Sequence, residues 1–157
     1  APYDVWVREG LLRTTPGASV DYSFVVADIA EIIGDFDLTS MAFDRWRIDQ
    51  FRKDADAIGL SLPLVEFGQG FKDMGPAVDT LESLMLNGRV RHGMHPVLTM
   101  CAVNAVVVKD AAGNRKLDKS KATGRIDGMT MSVGAANGEV TEQGGDFDDF
   151  IFRPLSM

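Results

Sequence analysis

Apolar and polar positions along the chain alternate between two periods. From Asp21 to Ile33 the apolar residues Val25, Ile29 and Ile32 recur at helical spacing, and Gly34 stands where a helix would end. Ile48, Phe51, Ala55 and Ile58 step by three, four and three, which predicts a second helix stopping at Gly59. "DLTSMAF" (37–43) before it and "LSLPLVEF" (60–67) after it read as strands, with Pro63 marking an edge or an irregular start. "YDVWVREGLL" (3–12) alternates well enough to predict another strand, broken by "TTPGAS". Pro76 is expected to open a helix with Val78, Leu81 and Met85 on one face and "NG" (87–88) at its end. Pro96 opens a further helix, apolar nearly all round from Val97 to Asn104 and so expected to be fully buried; "AVVVK" and "DAAGN" then suggest a strand and a hairpin turn. The last helix is expected over 123–137, with Ile126, Met129, Val133 and Ala136 on one stripe. Gly124, Gly128 and Gly134 would cost that helix roughly 1 kcal/mol each relative to Ala, so its backbone is expected to approach a neighbour closely.

Strand, helix, strand over 37–67 is a βαβ unit with parallel strands. It places Asp44, in "SMAFDRWRID" (40–49), at the carboxyl end of a parallel strand, where open α/β sheets form their ligand crevices. An Asp there serves a turn by hydrogen bonding or serves a metal ion, and the pattern leaves both open. Asp127, in "TGRIDGMTM", follows Ile126 of the buried stripe and sits about 100° round the helix from it. It reads either as a helix-start acid favoured by the macrodipole or as a carboxylate aimed into a crevice.

Composition narrows the classes. One domain is expected of 157 residues, 45% of them apolar and 25% charged. No apolar run reaches the roughly 18 residues that span a bilayer, and "APYDVWVREG" lacks the layout of a secretory signal, so a cytoplasmic protein is expected. The single cysteine, Cys101, excludes an internal disulfide and reads as a buried small hydrophobe. A net charge of −7 argues against generic nucleic-acid binding, but the charge is uneven. Residues 109–125 hold six Lys and Arg against two Asp, whereas 138–150 carry five acids and no base. A basic loop near a carboxylate is a solvated surface or a phosphate contact. Arg45, Arg47, Arg52 and Lys53 around Asp44 are open to the same two readings, with Asp49, Asp54 and Asp56 as possible ion-pair partners. His92 and His95 lack the companions of a structural zinc site. GxxxxGK[ST], GxGxxG after a strand and GxSxG are all absent.

Five phrases in order carry a resemblance: "WVREGLLRTTPGASVDY", "MAFDRWR", "PLVEFGQGFKDMGPAVDTLESLMLNGRVRHGMHPVLTMCAVNAVVV", "DAAGNRKLDK" and "GRIDGMTMSVGA". Together they cover most of residues 5–136, and the chain resembles the C-terminal nuclease domain of the terminase large subunit of tailed phages and prophages. The resemblance implies an α/β, ribonuclease H-like fold, a mixed sheet flanked by helices with acidic residues at its centre. It implies a nuclease domain over 1–137, followed by an acidic tail over 138–157. It further implies a two-metal endonuclease that cuts concatemeric viral DNA during genome packaging, with Asp44 and Asp127 as catalytic metal ligands.

Mg²⁺ or Mn²⁺ is the expected cofactor, because hard divalent cations prefer carboxylate oxygens. Double-stranded DNA, the portal and the small terminase subunit are the expected partners, in the cytoplasm of a bacterial host. Lys119, Lys121, Arg125 and Arg45 are the candidate DNA contacts on charge and nearness. The family's first catalytic Asp lies on a strand upstream of "WVREG", which this chain does not match; an N-terminally incomplete domain with impaired cleavage is therefore expected. The competing expectation is an inactive prophage remnant or a module that binds DNA or the portal, with "DFDDFIFRPL" (146–155) as the docking segment.

Overall fold

This computed structural model describes residues 1–44, 48–141 and 150–151. Helices and short strands are mixed, and the chain divides into two compact units. One comprises Thr14–Phe67; the other comprises Ala1–Arg13 with the described residues from Gly68 onward.

The Thr14–Phe67 unit realises the βαβ pattern. Helix α2 (Tyr22–Ile33) begins at Asp21, whose carboxylate accepts from the Ser23 amide at 2.9 Å, an N-cap that satisfies one of the orphan amides of the first turn. Strand β1 (Met41–Phe43), helix α3 (Ile48–Ala57) and strand β2 (Leu64–Glu66) follow. β1 and β2 pair in parallel, with Met41 opposite Leu64 and Phe43 opposite Glu66. Val26, Phe51 and Ala55 form the buried centre, with Val25, Ile29, Met41, Ile48, Leu60 and Leu62 packed around it. Ile58 falls outside this face and is 57% exposed, because α3 ends at Ala57 and Gly59 (φ +71°) turns the chain away.

In the other unit the first element is a helix, α1 (Tyr3–Arg8), and not the expected strand. Asp4 in its first turn and Arg8 in its last complement the helix dipole, and Tyr3 stacks edge-on against Trp6 three residues later, with ring centroids 5.6 Å apart. Only Trp6 is buried, so the apparent alternation of 3–12 does not mark two faces.

Helix α4 (Phe71–Leu86) starts five residues before Pro76, which lies inside it. Gly75 permits this, because it has no Cβ to meet the proline ring. It is also buried, with the Arg115 carbonyl 3.7 Å from where a Cβ would stand. Met74, Ala77, Val78, Leu81 and Leu84 form the buried stripe; Met85, expected there, is 53% exposed.

Strand β3 (Val90–Arg91), helix α5 (Pro96–Asn104) and strands β4 (Val107–Lys109) and β5 (Arg115–Leu117) come next, then α6 (Asp127–Thr141) and β6 (Phe150–Ile151). α5 is not fully buried: Cys101 is enclosed, but Val103 is 78% exposed. β4 and β5 make the expected antiparallel hairpin, its turn held by Asp110 Oδ1, which accepts from the amides of Ala112 and Asn114 at 2.9 Å each. Gly113 supplies the positive φ (+87°) that this turn requires. α4 packs against α6 and β5, and α5 packs against α6. Among the described residues the strands form three two-stranded pairs, β1–β2 and β3–β6 parallel and β4–β5 antiparallel, rather than one mixed sheet. No helix among them is long and apolar enough to cross a membrane.

Candidate functional site

Asp44 follows Phe43 directly and is exposed at the carboxyl end of β1. The Phe67 amide donates to the Phe43 carbonyl at 2.8 Å, so strand pairing persists up to the residue before the carboxylate. Of the cations expected around it, Arg52 lies with its guanidinium 5.1 Å from the centroid of the Phe43 ring, a cation–π contact. Arg45 and Arg47 lie outside the described residues.

Asp127 is the first residue of α6, and three contacts fix it there. Ile126, only 2% exposed, anchors the chain immediately before it. Asn104, the last residue of α5, donates from Nδ2 to the Arg125 carbonyl at 3.1 Å and accepts at Oδ1 from the Thr123 hydroxyl at 3.0 Å. Gly128 lets the two helices close up: a Cβ there would stand 3.3 Å from both Cys101 Sγ and Leu98 Cδ1. The close approach anticipated from the glycines is therefore real at Gly128, and also at Gly124, which lies in the loop before the helix and where a Cβ would stand 2.7 Å from Asn104 Nδ2.

The basic stretch 109–125 divides by role. Lys119 places its ammonium 2.9 Å from Asp127 Oδ1, with both side chains more than half exposed. The turn that presents Lys119 is set by Asp118, which accepts from the Ser120 hydroxyl at 2.6 Å and amide at 2.9 Å; these bonds hold its carboxyl below the ordinary value. Lys121 and Arg125 are exposed. Arg115 is structural: its guanidinium grips Asp79 and Glu82 of α4, tying β5 to that helix. Lys116 lies over the Phe71 ring, 4.9 Å from its centroid.

The donor chemistry of Asp44 and Asp127 suits an oxygen-preferring divalent cation, and both carboxylates are exposed to arriving ions. Among the described residues no group of three or more His, Cys, Asp or Glu side chains converges to hold a metal. Asp44 belongs to one compact unit and Asp127 to the other. Asn104 is the residue that sequence reasoning missed. The sign of it was an amide side chain at the end of an apolar helix, preceding a β-branched strand.

The family model for the terminase large subunit, endonuclease domain, matches residues 1–141. The large terminase subunit of Enterobacteria phage HK97 is 98% identical over 160 aligned residues, taking in 100% of this chain and 32% of that protein. Protein YmfN of Escherichia coli K12 is 32% identical over 147 residues, 85% of this chain and 30% of that protein. The chain thus spans about a third of the length of these curated relatives. Among solved structures, the HK97 large terminase superposes with a TM-score of 0.83 at 93% identity, covering 88% of this chain and 29% of that one. The large terminase nuclease of thermophilic phage G20c superposes at 0.54 with 18% identity, over 76% of this chain and 63% of that one, a likeness of fold. Matched over residues 1–141, the chain belongs to the family of terminase large-subunit endonuclease domains.

Proposed function

We propose that this chain is the DNA-cutting part of a genome-packaging terminase, a ribonuclease H-like domain that cleaves phosphodiester bonds with the help of Mg²⁺ or Mn²⁺. The observation that carries the reading is the family match over residues 1–141, with Asp44 at the carboxyl end of a parallel strand and Asp127 opening a braced helix. In this account both carboxylates are metal ligands. Paired divalent ions, when bound, polarise the scissile phosphate, activate a water and neutralise the departing oxygen.

The rest falls to the protein. Lys119, whose ammonium lies on Asp127 Oδ1, is the cation best placed to transfer to a phosphate oxygen of bound duplex. Lys121 and Arg125, on either side of the Thr123 contact, extend the positive rim that follows the backbone, and Arg45 is assigned to the same role from sequence. Their contribution is sequence-independent and weakens as salt rises. The portal and the small terminase subunit are the partners proposed for the whole large subunit.

Plasmid cleavage tests the reading. This chain and a full-length large subunit carrying it are incubated with supercoiled DNA and Mn²⁺, alone and as Asp44→Ala and Asp127→Ala. The full-length protein is expected to linearise DNA and each variant to lose at least a hundredfold in rate. A full-length Asp44→Ala or Asp127→Ala protein that cuts at the parent rate removes that residue from the site.

A further inference from the structure

We propose that Asn104 is the positioning residue for the Asp127 carboxylate, clamping the loop 123–125 so that α6 begins with its acid in a fixed place; this rests on the reading of Asp127 as a metal ligand. Asn104 uses three of its polar groups on one short segment. Its Nδ2 donates to the Arg125 carbonyl at 3.1 Å, and its Oδ1 accepts from the Thr123 hydroxyl at 3.0 Å. Its main-chain carbonyl accepts from the Thr123 amide at 3.4 Å. Residue 124 lies between the two side-chain bonds, and a Cβ there would stand 2.7 Å from Nδ2 and 3.1 Å from Cγ. Any side chain there would push the amide out of its present place.

The clamp sits on a firm base. Asn104 ends α5, and α5 packs against α6 beside Gly128, where a Cβ would stand 3.3 Å from Leu98 Cδ1 and Cys101 Sγ. The amide therefore ties the end of one helix to the approach of the next, two residues before Asp127. Neither bond touches the carboxylate, so Asn104 acts through the backbone. An exposed helix start without such a tie frays, and the acid at its first position moves with it. Groups that orient a metal ligand typically account for about 10–100-fold in metal affinity. Acting at one remove, Asn104 is expected near the lower end of that range.

The test uses the full-length large subunit carrying this chain. Mn²⁺ binding is measured by titration calorimetry, and plasmid cutting is followed against Mn²⁺ concentration, for the parent, Asn104→Ala, Thr123→Val, Thr123→Ser and Asp127→Ala. Asn87→Ala, which removes an amide bonded to the Ser83 carbonyl at the end of α4, is the control for simple loss of a helix-end contact. Asn104→Ala is expected to weaken Mn²⁺ binding about tenfold and raise the half-saturating concentration in step. Thr123→Val should do so more mildly, while Thr123→Ser and Asn87→Ala stay at the parent value. Gly124→Ala should reproduce the Asn104→Ala defect and add nothing to it in the double variant, because both break one contact. Should Asn104→Ala fail to fold, Thr123→Val and Gly124→Ala carry the decision. Parent-like Mn²⁺ binding in all the folded clamp variants, with Asp127→Ala defective, overturns the role of Asn104 and leaves the site standing. Parent-like binding and cutting in Asp127→Ala overturns the reading of the site itself.

Discussion

Ile126 bears most directly on how Asp127 is held. It is 2% exposed, precedes the carboxylate by one residue, and stands at the foot of a helix whose Val133 and Ala136 are equally enclosed. Truncation to Ala removes three carbons from a site bounded by packed helices, with a transfer loss and a residual cavity. Full burial of such a side chain contributes about 1.5–3 kcal/mol, and measured Ile→Ala losses run about 2–5 kcal/mol, so about 3 kcal/mol is expected here. Ile126→Val, one methylene smaller, should lose about 1 kcal/mol. Urea unfolding followed by far-UV circular dichroism reads both. With a slope of about 2 kcal/mol per molar urea, the midpoint should fall by about 1.5 M for Ala and about 0.5 M for Val, at unchanged slope. An Ala variant within about 0.5 kcal/mol of the parent would contradict the assignment of Ile126 as the anchor.

Two further outcomes follow from local geometry. The Glu82 carboxyl is held below its ordinary value chiefly by the Arg115 hydrogen bond, so its contribution to stability is complete above the unfolded-state value near 4.5 and is lost as pH falls through the lower folded-state value. Thermal midpoints from pH 6 to pH 3 should therefore fall less steeply for Glu82→Gln than for the parent, and parallel curves would refute the linkage. Met94 is 70% exposed and holds a positive φ of +53°, which costs a non-glycine residue about 1 kcal/mol. Met94→Asn keeps the amide that donates to His92 Nδ1 and tolerates this region, so a rise of a few degrees in thermal midpoint is expected; a fall would show that the Met side chain matters more than the strain.

Sequence alone made the βαβ unit legible, because Phe51 and Ala55 repeat at helical spacing between two short apolar runs and the glycine at 59 punctuates them. Asp44 fell at the strand end for the same reason. The hairpin was legible through Asp110 and Gly113, whose turn chemistry is local. Features set by tertiary contact were not legible. Pro76 reads as a helix start by its own preference, and the helix runs through it because Gly75 has no Cβ to meet the proline ring and the segment is held buried by its neighbours. The all-apolar surface of α5 suggested enclosure, yet Val103 remains outside because composition does not say how many neighbours a helix has. In α1, three alternating apolar residues imitated a strand; the dipole-matched Asp4 and Arg8 were the better signal. The clamp at Asn104 joins residues about twenty apart in sequence, and no periodicity announces such a pairing.

The central claim is that Asp44 and Asp127 ligate divalent metal in a DNA-cutting site. Anomalous diffraction from crystals of the full-length large subunit soaked in Mn²⁺ tests it most directly. The account predicts anomalous peaks within coordination distance of carboxylate oxygens of both residues, lost at the corresponding position in Asp44→Ala and Asp127→Ala. Mn²⁺ bound elsewhere, with neither carboxylate coordinated at saturating metal, would contradict it.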